Sequence, residues 1–326
     1  MIESIGILGG GAWGTALALT AARAGRSVRI WARDPATVAA IDSRHENPHR
    51  LPGIRLDHVP ATDSMAVALR ADAVVLAVPA QATRAVATAA APYIPAGTPL
   101  VIAAKGLERD TDRRLSEVIA EVVPDARPAV LSGPGFAMDV ARGLPTAVTI
   151  AAEDETLALD LCHAFAGPAF RPYAETDLIG VEIGGAVKNV LAIAAGIVAG
   201  RELGASAHAA LIARAFAELR RLGDALGARP DTLMGLSGLG DLVLTCSGPQ
   251  SRNFAYGLHL GRGGDPAAPH ALAEGIATAA VARDLARRHG VSAPIIEAVA
   301  AIIDGTLTIE AAIEGLMNRP LRREAD

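Results

Sequence analysis

The sequence predicts an α/β fold, with a doubly wound sheet in the N-terminal part of the chain followed by an all-α C-terminal domain. In the first half, short β-branched and aliphatic runs alternate with amphipathic segments, which is typical of a parallel sheet wrapped by helices. After about Asp177 the strand-like runs stop and long alanine- and leucine-rich segments follow. A length of 326 residues exceeds what one hydrophobic core usually organises, so we expect two domains, 1–178 and 179–326.

Each element is predicted from local signals. Apolar runs rich in β-branched residues predict strands at 4–8, 27–31, 73–78, 100–103, 129–132 and 146–150. Amphipathic segments between them predict helices at 14–24, 35–44, 83–91 and 111–122. The second of these helices has Asp34 as its expected N-cap, directly before Pro35. Long apolar segments predict further helices at 181–200, 206–226, 276–289, 293–303 and 309–316.

The composition argues against several classes of protein. Hydrophobic residues make up 51% of the chain and charged residues 20%, so apolar burial can offset chain entropy and a disordered chain is not expected. A net charge of −5 gives no overall field that would gather nucleic acid, so no nucleic-acid partner is expected. Cys162 and Cys246 match neither a metal-ligand spacing nor a disulfide framework. We therefore expect a reducing compartment and no metal site.

The chain is expected to be cytoplasmic. It runs from Met1 into a strand-like segment, without the basic flank and long apolar run of a signal peptide. The most apolar later stretch, 190–199, is too short to cross a bilayer and begins beside Lys188. We interpret it as a buried helix and expect no integral membrane segment.

A glycine-rich loop follows the first predicted strand. Residues 9–14 read Gly-Gly-Gly-Ala-Trp-Gly, a G-x-G-x-x-G motif that leaves a strand and opens a helix. Gly9 permits the tight turn, Gly11 lets the backbone approach a pyrophosphate, and Gly14 lets the helix and strand pack closely. The N–H groups at the start of the helix also favour phosphate. In this position the motif predicts a Rossmann-like dinucleotide site, although an ordinary glycine turn is the alternative.

The end of the second strand bears on cofactor preference. An acidic residue there would bind the ribose hydroxyls of NAD, but Arg33 occupies the place and Asp34 is needed as a helix cap. Because an arginine can hold a 2′-phosphate, NADP is expected in preference to NAD. A solvated charge at the end of a strand is the alternative explanation for Arg33.

Lysine is scarce in this chain. Of 30 basic residues only two, Lys105 and Lys188, are lysines. A guanidinium keeps its proton in a protein, whereas an ammonium can shift its pKa and act as an acid, so both lysines are candidates for proton chemistry. Lys105 directly follows a predicted strand, at the sheet edge where doubly wound folds bind ligands. Chance retention of surface lysines is the alternative.

Lys188 lies on the most apolar predicted helix, where an unpaired charge would be costly. The residues three and four positions before it are Gly185 and Gly184, so we expect room for a ligand beneath the ammonium group. The alternative is an ion pair with Glu182, or with another carboxylate, that pins two helices together.

Three further segments carry candidate polar groups. Residues 132–137 end a strand and lead into a short helix, where they either offer backbone N–H groups to the same crevice or form only a turn. Asp241 follows a glycine turn and precedes an apolar helix, as either a site carboxylate or an N-cap. Ser251, Arg252 and Asn253 combine a fixed cation with two short polar side chains, which suits a phosphate monoester but also an ordinary surface.

Together these segments resemble a known family, the bacterial NAD(P)-dependent glycerol-3-phosphate dehydrogenases. The resemblance extends over nearly the whole chain, through residues 9–16, Leu51-Pro52-Gly53-Ile54, 104–106, 132–137, 143–147, 179–190, 238–246 and Ser251-Arg252-Asn253. It implies the reversible reduction of dihydroxyacetone phosphate to sn-glycerol 3-phosphate, a step that supplies glycerophospholipid synthesis. A homodimer is expected by analogy with other helical second domains of this kind.

The resemblance also implies residue roles. Lys188 is the acid/base group that gives its proton to the ketone oxygen, while Lys105 and Asp241 orient the substrate and the ammonium group. The cofactor is expected to contact Gly9, Gly11, Ala12, Trp13, Gly14, Arg33, Lys105, Ala137, Arg252 and Glu274. The substrate is expected to contact Lys105, Gly133, Gly135, Lys188, Asp241, Ser251, Arg252 and Asn253.

The sequence departs from the family pattern at a few positions. Gly135 stands where Ser or Thr is usual, Ser206 and His208 stand where Asn and Arg are expected, and Phe-Ala at 254–255 replaces a more basic pair. We expect these changes to affect affinity and substrate strictness more than reaction type.

Two other functions are alternatives. A β-hydroxyacid or ketopantoate-type reductase shares the two-domain plan but binds a carboxylate, and the segment 251–253 argues against it. The other is a catalytically silent NADP-sensing protein that kept the cofactor domain. Retention of Lys188 and Asp241 argues against this second alternative.

Overall fold

The computed structural model describes residues 1–268, 270–321 and 323, and its N-terminal part is built on one large sheet. The strands of the described residues are β1 (Ser4–Leu8), β2 (Ser27–Trp31), β3 (Glu46–Asn47), β4 (Leu51–Arg55), β5 (Ala61–Thr62), β6 (Ala73–Leu76), β7 (Pro99–Ile102), β8 (Arg127–Ser132), β9 (Thr146–Ala152) and β10 (Phe170–Glu175). Eight of these form a sheet in the order β10-β9-β8-β7-β6-β1-β2-β5, and β3 pairs with β4 in a separate hairpin.

Helices cover the sheet and then form the whole of the C-terminal part. Those interleaved with the strands are α1 (Ala12–Arg23), α2 (Pro35–Arg44), α3 (Met65–Ala68), α4 (Thr83–Ala90), α5 (Leu115–Val122), α6 (Ala137–Ala141) and α7 (Glu155–Phe165). Those that follow are α8 (Leu178–Gly200), α9 (Gly204–Ala225), α10 (Pro230–Met234), α11 (Asp241–Cys246), α12 (Arg252–Gly261), α13 (Glu274–Arg288), α14 (Pro294–Ile303) and α15 (Ile309–Met317). The predicted fold class, a Rossmann-like α/β part followed by a helical part, is confirmed.

The strand order places a ligand crevice at the centre of the sheet. The chain runs outward from β1 to β2 and β5, and then crosses back to β6 on the other side of β1. All of these neighbours, and β7 and β8 beyond them, pair in parallel. Ligands of doubly wound folds bind at such a reversal, outside the carboxyl ends of the strands. The loops after β1 and β6 therefore flank this crevice.

The prediction of a parallel sheet is wrong for its last two strands. β9 pairs antiparallel with β8, and β10 pairs parallel with β9, so both run against the other six strands. Between β8 and β9 the chain makes only the five-residue helix α6 and re-enters the sheet from the same end. A parallel return would need a helix that carries the chain back along the face of the sheet, and the five residues of α6 are too few for this.

Most predicted elements are confirmed with shifted ends, and α2 has the predicted bounds. Its N-cap Asp34 accepts hydrogen bonds from Ala36 N and Thr37 N, as expected. Unpredicted elements are the hairpin β3–β4, β5, β10, α3, α7, α10 and α12. β10 escaped prediction because it lies at the sheet edge and includes Pro172 and charged residues, which weaken the apolar strand signal.

Helix α8 forms the centre of the helical part. Of the described helices, this one is long and apolar enough to cross a membrane, but 83% of its most apolar window is buried inside the protein. The prediction of a buried helix is confirmed. The stretch 190–199 is the end of this helix, which begins at Leu178, three residues before its predicted start, and is 23 residues long.

Helix α12 crosses α8 with the two backbones in direct contact. A Cβ atom at Gly257 would lie 2.0 Å from Ile193 O, and one at Gly196 would lie 2.1 Å from Phe254 O. Any larger residue at either position would force the helices apart. This crossing fixes the start of α12, including Asn253, relative to Lys188 on α8.

Candidate active site

Two lysines and one aspartate form a buried cluster between the sheet edge and the helical part. Lys105 follows β7, Lys188 lies in the middle of α8, and Asp241 is the first residue of α11. Asp241 Oδ2 accepts from Lys105 Nζ at 2.6 Å, and Asp241 Oδ1 accepts from Lys188 Nζ at 2.9 Å. The N-cap of α11 is Gly240, so Asp241 is not the cap and its carboxylate serves the two ammonium groups.

Each lysine has a second, uncharged partner. Lys188 Nζ donates to Thr245 Oγ1 at 2.6 Å, and Thr245 lies one helical turn after Asp241 on α11. Lys105 Nζ donates to Gly133 O at 2.8 Å and lies 5.8 Å from the centre of the Trp13 ring. An ammonium group has three N–H donors, so each lysine has one donor beyond those used by these two partners.

The cluster carries an excess of positive charge. Burial lowers the pKa of Lys188 to about 8, although the Asp241 carboxylate offsets part of this effect. Burial by itself would raise the pKa of Asp241, but Lys105 and Lys188 together hold it below its usual value. One carboxylate thus faces two ammonium groups, an arrangement that favours a small anion in the crevice.

Glu274, at the start of α13, joins the loops that follow β6 and β7. Its Oε1 accepts from Ala80 N at 2.9 Å and its Oε2 accepts from Lys105 N at 3.3 Å. Burial raises the pKa of this carboxyl group, and the backbone N–H of Ala80 and the charge of Arg252 work against that rise. The helical part therefore holds the loops after β6 and β7 through one side chain.

The glycine-rich loop has the geometry that a pyrophosphate needs. Gly9 has φ +131°, and a Cβ atom there would lie 2.5 Å from Ala77 O. A Cβ atom at Gly14 would lie 2.1 Å from Gly9 O, so α1 packs tightly onto the end of β1. A Cβ atom at Gly11 would meet no atom within 4 Å, so the N-terminus of α1 opens onto a space that suits a phosphate group.

Comparisons with known proteins agree with this geometry. Residues 4–158 match the model of the NAD-dependent glycerol-3-phosphate dehydrogenase N-terminus, and residues 177–314 match that of its C-terminus. Glycerol-3-phosphate dehydrogenase [NAD(P)+] of Bradyrhizobium sp. strain ORS 278 is 60% identical, and the match covers 99% of this chain and 98% of the Bradyrhizobium chain. The chain belongs to the NAD-dependent glycerol-3-phosphate dehydrogenase family.

Other members of the family extend the similarity to structure. The Brucella canis glycerol-3-phosphate dehydrogenase [NAD(P)+] is 57% identical, and the match covers 99% of this chain and 100% of the Brucella chain. The crystal structure of glycerol-3-phosphate dehydrogenase from Coxiella burnetii superimposes with a TM-score of 0.92 at 39% identity. That match covers 97% of this chain and 99% of the Coxiella chain.

The structure brings most of the predicted dehydrogenase site residues to one crevice. Hydrogen bonds link Lys105, Lys188, Asp241, Gly133 and Glu274, as given above. The residues of the glycine motif, with Ala12 and Trp13, lie at the start of α1, and Ala137 begins α6. Gly135 lies beside Trp13, because a Cβ atom at Gly135 would come 3.4 Å from that ring. Arg33 is exposed after β2, at the outer end of the crevice.

The predicted phosphate clamp at 251–253 has divided roles. Ser251 is the N-cap of α12, and its Oγ accepts from Phe254 N at 3.3 Å. Asn253 is buried, donates to Asn189 Oδ1 at 2.7 Å, and accepts from Gly275 N at 2.9 Å. Arg252 is exposed at the first position of α12. The guanidinium is thus the member of the three best placed to reach an anion, while its two neighbours hold the helix start.

The interpretation of the paired glycines on α8 is wrong. A Cβ atom at Gly185 would lie 2.6 Å from Ser132 Oγ, and one at Gly184 would lie 2.7 Å from Ser237 O. The turn beneath Lys188 is therefore filled by protein and leaves no room for a ligand. The glycines instead let α8 approach the end of β8 and the turn before α11.

The expected alternative for Lys188, an ion pair with a carboxylate, is half right. Glu182 is not the partner, because it accepts from Ser116 N at 2.8 Å and from Arg114 Nη1 at 3.3 Å. The partner is Asp241, which Lys105 shares. A shared carboxylate cannot neutralise both ammonium groups, so this pair does not remove Lys188 from proton chemistry.

Two polar residues of the site were not singled out from the sequence. Thr245 contacts Lys188 and also donates to Asp241 Oδ1 at 3.2 Å. Its spacing of four residues from Asp241 on an expected helix was the available signal. Asn189 donates to Lys105 O at 2.8 Å and so ties α8 to the loop after β7. Its position next to Lys188 gave no indication of this contact.

The departures from the family pattern lie at the edge of the cluster. His208 Nε2 lies 3.1 Å from Cys246 O, and the His208 ring meets Phe254 edge to face. Ser206 is exposed on α9. His208 contacts the helices that carry Thr245 and Asn253, but neither His208 nor Ser206 touches Lys188 or Asp241 in the described hydrogen bonds.

Proposed function

We propose that this chain catalyses the reversible NAD(P)H-dependent reduction of dihydroxyacetone phosphate to sn-glycerol 3-phosphate, with Lys188 as the proton donor and acceptor. The observation that carries the proposal is the single carboxylate of Asp241 shared by Lys105 and Lys188, below the sheet edge that carries the glycine loop. The relatives named above are glycerol-3-phosphate dehydrogenases, and they support the same substrate pair.

Lys188 is suited to proton transfer at neutral pH. Its pKa is lowered to about 8 by burial, which brings an ordinarily strong base close to the working range of a general acid. Asp241 and Thr245 accept two of its three N–H groups and fix the direction of the third. In ketone reduction that third proton goes to the carbonyl oxygen, and the reverse reaction returns it to the amine.

A nicotinamide dinucleotide held by the glycine loop would supply the hydride for the carbonyl carbon, and Lys188 would protonate the carbonyl oxygen. Lys105 is held by Asp241 and Gly133 O, so its remaining N–H group and the Arg252 guanidinium are the cations offered to the phosphate. Trp13 Nε1 is buried without a partner in the described structure, which suits a bound polar ligand. We assign the dinucleotide to the glycine loop, with Arg33 on a 2′-phosphate and therefore NADP as the preferred cofactor.

The direct test is a spectrophotometric assay of the purified protein with dihydroxyacetone phosphate and NADPH. We expect substrate-dependent loss of nicotinamide absorbance, with 2-oxo acids such as ketopantoate giving no comparable rate. Turnover of ketopantoate in place of dihydroxyacetone phosphate would favour the carboxylate-binding reductase. NADPH binding without turnover of either substrate would favour a sensor.

We further propose a cytoplasmic homodimer with a domain boundary between residues 178 and 179. The proposal for the assembly rests on analogy with helical second domains. Light scattering of the purified protein tests it, with a mass near 67 kDa expected for two chains of 33.3 kDa. A mass of one chain at micromolar concentration would overturn the dimer.

A further inference from the structure

The hairpin β3–β4 contains one of the segments that resemble the family. This segment belongs neither to the lysine cluster nor to the glycine loop, and no role has been given to it above. Leu51-Pro52-Gly53-Ile54 forms most of β4, which pairs antiparallel with Glu46–Asn47. Asn47 pairs with Leu51 in this register, and both residues are buried. The hairpin therefore carries a polar side chain, that of Asn47, into the interior of the N-terminal part.

The Asn47 amide group reaches back to the glycine loop. Asn47 Nδ2 donates to Gly10 O at 3.0 Å and to Thr15 Oγ1 at 2.9 Å. Asn47 is 2% exposed and Thr15 is fully buried, so both bonds are shielded from water. The two hydrogens of the amide nitrogen are both used, and they join the loop to the first turn of α1.

The bond to Gly10 O fixes one peptide plane of the loop. A trans peptide unit is planar, and its C=O and N–H groups point in opposite directions. Since the Gly10 carbonyl points towards Asn47, the Gly11 N–H points away from Asn47. This is the N–H group at the N-terminus of α1, beside the open space at Gly11.

The backbone of the loop does not hold that plane by its own conformational preference. Residues 10 and 11 are both glycine, and glycine populates positive and negative φ with similar ease, so a peptide between two glycines can flip at low cost. On its other side Gly10 packs against Ala32. A Cβ atom placed on Gly10 would lie 2.8 Å from Ala32 Cβ. The Asn47 side chain supplies the directional contact.

We propose that Asn47 is a positioning residue that orients the Gly10–Gly11 peptide so that the Gly11 N–H faces the dinucleotide pyrophosphate. The proposal rests on the assignment of the dinucleotide to the glycine loop. It gives the hairpin motif a function: β4 holds β3 in register, and β3 presents the amide group. Asn47 itself does not touch the reacting atoms.

The test replaces the amide with groups of similar size that cannot donate. In Asn47→Leu, and in the isosteric Asn47→Asp, the Kd for NADPH measured by fluorescence titration is expected to rise roughly tenfold, the value of one lost hydrogen bond of ordinary strength. The KM for NADPH should rise in parallel, while kcat at saturating NADPH stays within about twofold of wild type, because the lysine cluster is untouched.

Thr20→Val is the matched control for stability. Thr20 is buried on α1 and donates to Ala16 O at 2.9 Å, away from the glycine loop. Its loss should lower the melting temperature without moving the Kd for NADPH. Unchanged Kd values in both Asn47 variants would overturn the proposal, as would a fall in kcat with no change in KM.

The outcome also separates this inference from the proposed function. If wild type binds NADPH and the Asn47 variants bind it equally well, the positioning role fails and the enzyme assignment stands. If wild type does not bind NADPH at all, both fail. The binding titration needs no turnover, so it decides the role of Asn47 even where the substrate has been assigned wrongly.

Discussion

The glycine loop and the lysine cluster face the same crevice but are built in opposite ways. The loop requires glycine at two positions, because a Cβ atom at Gly9 or Gly14 would lie 2.5 Å or less from a backbone oxygen atom. The cluster works through charged side chains, with Asp241 1% exposed and Lys188 6% exposed. With the roles proposed above, dinucleotide binding in the loop region depends on backbone shape, whereas proton transfer in the cluster depends on the protonation of Lys188.

This difference predicts which measurements respond to mutation. Changes to the cluster should act on turnover and its pH dependence and leave dinucleotide binding intact. Changes around the loop should act on Kd and KM for the dinucleotide and leave the turnover of the saturated enzyme intact.

Lys188→Ala is expected to have the largest effect. General acid catalysis contributes about 10²- to 10⁴-fold, so kcat should fall by about 10³-fold or more while the Kd for NADPH stays within about twofold. Lys188→Arg keeps the charge but cannot give up a proton, and it should be nearly as inactive. Arg201→Ala, which removes an exposed ion pair with Glu310, is the control expected to keep wild-type turnover. Substantial activity in Lys188→Ala would remove Lys188 from the mechanism.

Asp241→Asn is expected to come next, with a loss of about 10²-fold in kcat and a shifted pH profile. In wild type, ketone reduction should decline above about pH 8, where Lys188 loses its proton, and alcohol oxidation should rise through the same range. The Asp241 carboxylate raises the pKa of Lys188, so its removal should move both profiles to lower pH. Profiles of kcat in both directions test this, and a midpoint that does not move would assign the titration to another group.

Arg33→Ala tests the outer end of the loop region. Loss of the guanidinium should weaken the binding of NADPH by about tenfold. The binding of NADH should be nearly unchanged, because NADH lacks the 2′-phosphate. The ratio of kcat/KM for the two cofactors is the measurement. Arg29→Ala, at a half-buried position on β2, is a control for loss of a nearby positive charge. An unaltered ratio in Arg33→Ala would leave Arg33 as a solvated charge.

Glu218→Gln should have the smallest effect and acts on stability alone. Glu218 on α9 accepts from Ile295 N and Ile296 N at the start of α14, and burial raises its pKa to about 7. The native state therefore binds more protons than the unfolded state between about pH 4.5 and pH 7, so the unfolding free energy should fall as pH rises through that window. Glu218 should contribute about 1 kcal/mol per pH unit to the slope, and Glu218→Gln should remove that contribution. Urea unfolding at pH 5 and pH 7 measures it.

Glu218 also sharpens the comparison with Asp241. Both carboxylates are buried, yet the pKa is raised for Glu218 and lowered for Asp241. Glu218 has backbone N–H donors, whereas Asp241 has two ammonium groups. Similar burial thus has opposite consequences for these two carboxyl groups, because two ammonium groups hydrogen-bond Asp241 directly.

Local patterns in the sequence predicted the features that depend on neighbours along the chain. The apolar runs gave the six main strands of the α/β part, and the N-cap at Asp34 gave the start of α2. The scarcity of lysine, with two among 30 basic residues, indicated both ammonium groups of the cluster. Thr245 was also predictable from a local pattern, because it follows Asp241 by one helical turn.

Contacts between distant segments were not predictable in this way. Asn47 meets Gly10 across 37 residues, and Asn189 meets Lys105 across 84. The reversal of β9 depends on how a short connection turns at the sheet edge, which leaves no mark in the apolar pattern. The glycines before Lys188 misled for the same reason, because only the fold shows that Ser132 and Ser237 fill the space above them.

Asp241 draws one of its lysine partners from the α/β part and the other from α8. The α/β part expressed alone would leave the Lys105 ammonium group without the carboxylate that compensates it in the intact chain. Lys188, Asp241 and Thr245 all lie in the helical part, so incorrect docking of the two parts would remove Lys105 from the cluster and leave Asp241 paired with Lys188 alone. Chimaeras that exchange one half with a relative must keep this three-residue contact to be active.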